Sequence, residues 1–176
     1  VLIRLMNMKN FHSLKEMLSH HYGMAVSNIK AHPGGWSALA FKVSSTDRHY
    51  FLKVYDKNRA CTNTLTSHLD DYLAIMHSIS QHPHLTKRLP QLVVTQDGKL
   101  SVKDQGSHYV LFNFLDGHII GDHPFTTAHI TELAEIISEL HALNTQQLAI
   151  PDDLIEHFST DCLDPLLQTI EKAESI

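Results

Sequence analysis

Between residues 13 and 55 the apolar positions pass from a helical to a strand spacing. Leu14, Met17 and Leu18 recur on one helical face of Ser13–His21, and Gly23 follows where a C-terminal cap belongs. Val26–Ala31 reads as a first strand, and Phe41 and Val43 give a second strand its alternation. In a third strand, Phe51, Lys53 and Tyr55 share one face while Tyr50, Leu52 and Val54 share the other. Gly34–Gly35 turns the chain between the first two strands, and Ser44–Arg48 between the next two. Over Thr62–Ser80 the helical period returns, with Leu65, Leu69, Tyr72, Leu73, Met76 and Ile79 on one stripe. Leu92–Thr95 and Lys99–Lys103 around Asp97-Gly98 form a predicted hairpin. Tyr109–Leu115 is a continuous apolar run, the pattern of a strand covered on both faces.

Asp116–Gly117 ends that run. Thr126 or Thr127 then caps a long helix whose face carries Ile130, Leu133, Ala134, Ile137, Leu140 and His141, and Leu163–Ala173 begins another. The expected class is α+β: a five-stranded antiparallel sheet carrying the Thr62–Ser80 helix, with Thr127–Thr145 in a separate helical layer.

Lys53 turns this outline into candidate chemistry. An ammonium in the middle of an otherwise apolar strand must reach water or find an anion, because burying it unpaired is too costly. One strand earlier, Gly34 and Gly35 let the backbone approach a bulky ligand and offer N–H groups suited to phosphate. A glycine hairpin followed by a strand lysine is the phosphate-gripping half of a kinase-type ATP site. A hairpin with a surface lysine fits the same pattern.

Composition narrows the classes. With 176 residues and 43% hydrophobic content, the chain can bury a real core and fits one domain, or one lobe with part of another. A formal charge of −5 argues against a nucleic-acid partner and mildly favours a cationic small molecule. Cys61 and Cys162 lie far apart without metal-ligand spacing, as expected of reduced thiols in a cytoplasmic protein. The 15 histidines are scattered with no HExxH, so no metal site is expected. VLIRLM at the start is too short to span a bilayer and lacks a cleavage pattern, so no membrane partner is expected.

Four segments in this order, PGGWSALAFKV, YFLKVY, YVLFNFLDG and LAEIISELHAL, resemble the aminoglycoside phosphotransferase family, and most of all its spectinomycin-type branch. The resemblance spans about residues 10–150. Choline, methylthioribose and homoserine kinases share these features, so the acceptor does not follow from them. The resemblance implies a kinase-like N-lobe over residues 1–115, a hinge over 116–125, and the start of a helical C-lobe over 126–176 that ends without a stop signal and reads as truncated. It further implies that Lys53 binds the α- and β-phosphates, under a loop of Gly34, Gly35 and Ser37. Phe51 would lie against adenine, and Phe112 would guard the back of the pocket. Asn113 would offer its carbonyl and Leu115 its N–H to the base.

Two departures accompany it. Where relatives pair the strand lysine with a helix glutamate, this helix offers only Asp70 and Asp71, of which Asp71 is the candidate. No His-Gly-Asp and no Asp-Phe-Gly occurs in the 176 residues, so no catalytic residue is assigned, and Mg²⁺ is expected only with ligands from a complete C-lobe. His141, in the Leu-His pair of the long helix, reads as structural.

The expected function is thus transfer of the γ-phosphate of ATP, or of GTP, to a hydroxyl of a small and cationic molecule, with this chain supplying the nucleotide-binding lobe. The rival readings are a catalytically inactive kinase-like binding module and an unrelated α+β domain with a structural lysine. An apolar helix face such as Ile130–Leu143, short of partners, would favour a homodimer.

Overall fold

The computed structural model describes residues 8–33, 37–59, 62–117, 120–121, 124–148 and 150–155. Gly34, Gly35, both cysteines and the expected helix at Leu163–Ala173 lie outside these residues. In chain order the elements are α1 (Met8–Tyr22), β1 (Asn28–Ala31), β2 (Leu39–Ser44), β3 (His49–Tyr55), α2 (Thr62–Thr66), α3 (Leu69–Ser80), β4 (Val102–Asp104), β5 (Ser107–Asn113) and α4 (Thr127–His141). Short 3₁₀ turns follow at Thr145–Gln147 and Asp152–Leu154.

The strands form a five-stranded sheet in the order β1-β2-β3-β5-β4, with every pair antiparallel. Its two faces are covered by different helices, which is why the stretch Tyr109–Phe112 within β5 is apolar throughout. Leu14, Met17 and Leu18 of α1 pack with Phe41, Val43, Leu52, Val54 and Leu111 on one face. On the other face Leu69 and Leu73 of α3 pack with Val110, Phe112 and Leu92, beside Phe51 and Tyr55. The alternation expected for the third strand therefore holds, and Lys53 stands on the α3 face.

Several boundaries differ from the sequence expectation, two of them by more than a few residues at an end. Thr62–Ser80 is two helices, because hydroxyls in the first piece bond back to local carbonyls: Thr66 Oγ1 to Thr62 O (2.8 Å) and Ser67 Oγ to Thr64 O (2.9 Å). His68 leaves the helical region at φ −116°, ψ 26°, and α3 starts after it. The Asp97-Gly98 turn closes, with Thr95 N–H donating to Lys99 O (2.9 Å), but no ladder extends from it. Instead Leu92 bridges Phe112, and β4 pairs with β5 through Gln105–Gly106. Both turn residues have positive φ (47° and 82°), the backbone twist a two-residue hairpin needs. The edge of the sheet beside β5 is thus shared by two short pieces.

Thr126 caps α4 by accepting from His129 N–H (3.3 Å), while His129 Nδ1 accepts from Thr126 N–H (3.3 Å). α4 lies outside the sheet and is tied to the loop after α3 by Arg88, whose guanidinium reaches Glu132 (3.1 Å) and Glu135 (2.7 Å).

Candidate functional site

Cross-strand register sets the site. Phe51 faces Phe112 on β5 and Lys42 on β2, and one pair further along Lys53 faces Val110 and Ala40. Direct antiparallel partners share a face, so the α3 side of the sheet presents Lys42, Phe51, Lys53 and Phe112 together. Helix α3 covers only part of this side. The remainder opens as a cavity of about 450 Å³ lined by His32, Phe51, Lys53, Met76, Pro90 and Phe112, and by the continuous stretch Asn113–Gly117.

Of the residues expected at the site, the cavity brings together Phe51, Lys53, Phe112, Asn113 and Leu115. Ser37 is half-buried but does not line it. Asp71 is elsewhere: its carboxylate sits 3.6 Å from His68 Nδ1, which lies at the same distance from Asp153. Asp70 accepts from Ser101 Oγ at 2.8 Å. The Lys53–Asp71 pair is therefore not formed. The reason is helix phase: Leu69 and Leu73 occupy the turn of α3 that faces the sheet, which directs Asp70 and Asp71 away from β3.

Among the described residues, the Lys53 ammonium has no carboxylate partner. Its nearest described electrostatic neighbour is the Phe112 ring, whose centroid is 5.9 Å away. A half-buried cation held by an aromatic ring alone is suited to receive an anion.

The backbone after β5 also borders the cavity. Phe114 N–H donates to His49 O (3.1 Å) and Asn113 N–H donates to Gln91 O (2.9 Å), so consecutive peptide groups point to opposite sides. The Asn113 carbonyl thus turns away from β3, and Asn113, Leu115 and Pro90 all line the cavity.

Sequence reasoning missed His32 and Phe114. The His32 ring stands edge-on to Phe51 (centroids 5.4 Å apart, 83°) and to Phe114 (6.1 Å, 68°). Lys42 Nζ lies 4.0 Å from the Phe114 centroid, and His49 meets the same ring at 6.3 Å. A signal was present: Phe114 is two residues from Phe112 and so shares its face, and His32 opens the glycine segment. What was missing was the cross-strand register that carries His32 past β2 to Phe51 on β3 and to Phe114 beyond β5.

A sequence model described as the phosphotransferase enzyme family matches residues 28–168. Comparison with curated protein sequences gave no match. Among solved structures, a spectinomycin phosphotransferase in complex with ADP and spectinomycin aligns with TM-score 0.61 at 15% identity, over 92% of this chain and 46% of its own. An aminoglycoside phosphotransferase aligns with TM-score 0.53 at 19% identity, over 77% and 40%, in a ternary complex with AMP-PNP and hygromycin B. A microcompartment-associated aminopropanol kinase aligns with TM-score 0.50 at 19% identity, over 85% and 45%. At these identities the likeness is one of fold, and the fold is kinase-like. The chain spans less than half the length of these structures.

Proposed function

The chain belongs to the phosphotransferase enzyme family, and from that premise we propose that its cleft binds ATP for transfer of the γ-phosphate to a hydroxyl of a small molecule by the whole protein. The observation that carries this reading is one cavity lined by a lysine that has no carboxylate partner among the described residues, by two cross-strand phenyl rings and by the backbone stretch Asn113–Gly117. Phe51 and Phe112 supply a flat apolar slot for the base. The Asn113 carbonyl and Leu115 N–H match the donor and acceptor edge of adenine; GTP, with a different edge, is the alternative nucleotide. Lys53 supplies a compact positive charge for the phosphates. The bound nucleotides of two fold relatives, ADP and AMP-PNP, support the class of ligand.

Phosphoryl transfer is positioning plus charge stabilisation, and this chain's residues account for the positioning. Among the described residues no group of three His, Cys, Asp or Glu side chains could hold a metal ion. The absence of His-Gly-Asp and Asp-Phe-Gly from the 176 residues favours, as a second reading for the chain alone, a module that binds nucleotide without transferring phosphate.

The test is a titration with ATP of the wild type, Lys53→Ala and Lys87→Ala, the last an exposed lysine outside the cavity. A charge-assisted bond contributes about 1.5–3 kcal/mol, so Lys53→Ala should weaken binding roughly ten- to a hundredfold and Lys87→Ala should leave it unchanged. Equal affinities in all three proteins would remove the phosphate role from Lys53.

A further inference from the structure

We infer that His32 is a positioning residue for the base, holding the Phe51 and Phe114 walls of the cavity in place; this rests on the nucleotide-site reading above. Three contacts fix the ring. Its backbone N–H donates to Ala40 O at 2.8 Å, locking the end of β1 to β2. Its edge meets Phe51 and Phe114 at near-perpendicular angles, the geometry aromatic quadrupoles favour. Its Nδ1 lies 2.9 Å from Pro33 O. A carbonyl oxygen only accepts, so Nδ1 carries the proton and donates, which sets the tautomer and the tilt of the ring.

Phe114 lies beyond the end of β5, and Phe51 is only half-buried on β3. On its other sides Phe114 meets a cation, Lys42, and a second histidine, His49. His32 thus joins both walls and also lines the cavity. Removing it frees two phenyl rings to collapse into the slot a purine would fill.

Substitutions separate the ring from its hydrogen bond. His32→Phe keeps an aromatic edge without the donor, His32→Asn keeps a donor near Nδ1 without the ring, and His32→Ala keeps neither. The probes are adenosine and ADP, titrated against each full chain and followed by ligand-observed NMR, with thermal unfolding measured in parallel. Loss of an edge-to-face contact on each wall should weaken adenosine binding about tenfold in His32→Ala and His32→Asn. His32→Phe should recover most of that loss, and the melting temperatures should not track the affinities. Unchanged adenosine affinity in His32→Ala would overturn the inference while leaving the nucleotide site standing. So would losses that parallel the melting temperatures without recovery in His32→Phe. A wild-type chain that binds neither adenosine nor ADP would overturn both.

Discussion

A lysine side chain and an aspartate side chain in this molecule show how differently a charge can be settled within one fold. Among the described residues Lys53 has a phenyl ring and no carboxylate beside it, whereas Asp97 accepts from Lys99 (2.6 Å) and from Thr95 Oγ1 (2.7 Å) within its turn. Lys53→Arg should therefore recover only part of the ATP affinity lost in Lys53→Ala, because a planar fork cannot replace a compact ammonium beside Phe112; titrations of the two variants side by side check this. Lys99 first, and then Thr95, hold the Asp97 carboxyl down to about 2 from its ordinary 3.8. A depressed carboxyl contributes stability that is present above its unfolded value and lost as pH falls through the folded one. Asp97→Asn should remove the part of the acid-induced decline lying between about pH 4 and about pH 2, read from urea midpoints against pH. His108 behaves in the same sense at milder pH. Burial, then Lys103, push it below its ordinary 6.5 against a smaller pull from Asp70. Protons bind the unfolded chain first, so stability should fall as pH drops from about 6.5 toward the lower folded value. His108→Gln should flatten that slope.

At the scale of elements, the end of α1 is the position most sensitive to a single methyl group. Gly23 has φ +63° and donates to Ser19 O at 3.0 Å, closing the helix in the left-handed conformation. A Cβ there would come within 2.3 Å of Gln96 Nε2, on the segment whose N–H donates to His21 O. The Gln96 side chain can move, but the backbone strain remains. Gly23→Ala should destabilise the chain by about 1 kcal/mol, seen as a lower urea midpoint with an unchanged denaturant slope. Helix α4 offers the opposite case. Its cap is complete through Thr126 and His129, yet no residue of it is buried, so its stability leans on local bonds and on Arg88.

For the whole molecule, the exposed face of α4 has consequences for behaviour in solution. Ile130, Leu133 and Ile137 are 57%, 48% and 43% exposed, and Phe125 ahead of them is 56% exposed. Contiguous apolar surface of this kind favours association. The chain should self-associate with rising concentration in sedimentation velocity, and the double variant Ile130→Glu/Ile137→Glu should shift it toward monomer. Concentration-independent monomer in the wild type would show that this face is tolerated in water.

Much of this was determined by local chemistry and is legible from residue order alone. The strand carrying Lys53 alternates every second residue, the Tyr109–Phe112 stretch of β5 is apolar, and α4 keeps a helical period behind a threonine cap, because pleat and helix pitch impose those periods directly. The same local rules put Phe51, Lys53 and Tyr55 on one face before any pairing is known. Tertiary structure decided what depends on which strand meets which. The Asp97-Gly98 turn signal was genuine, but β5 captured both Leu92 and β4, and a ladder goes to the partner that buries more apolar surface. Helix phase on the sheet sent Asp71 to His68 instead of Lys53, a choice made by the burial of Leu69 and Leu73 and invisible to the charge pattern. And His32 reached Phe51 and Phe114 only because β1 lies beside β2, β2 beside β3 and β3 beside β5. Contacts between residues 19 and 82 positions apart are set by register across four strands, which no local period encodes.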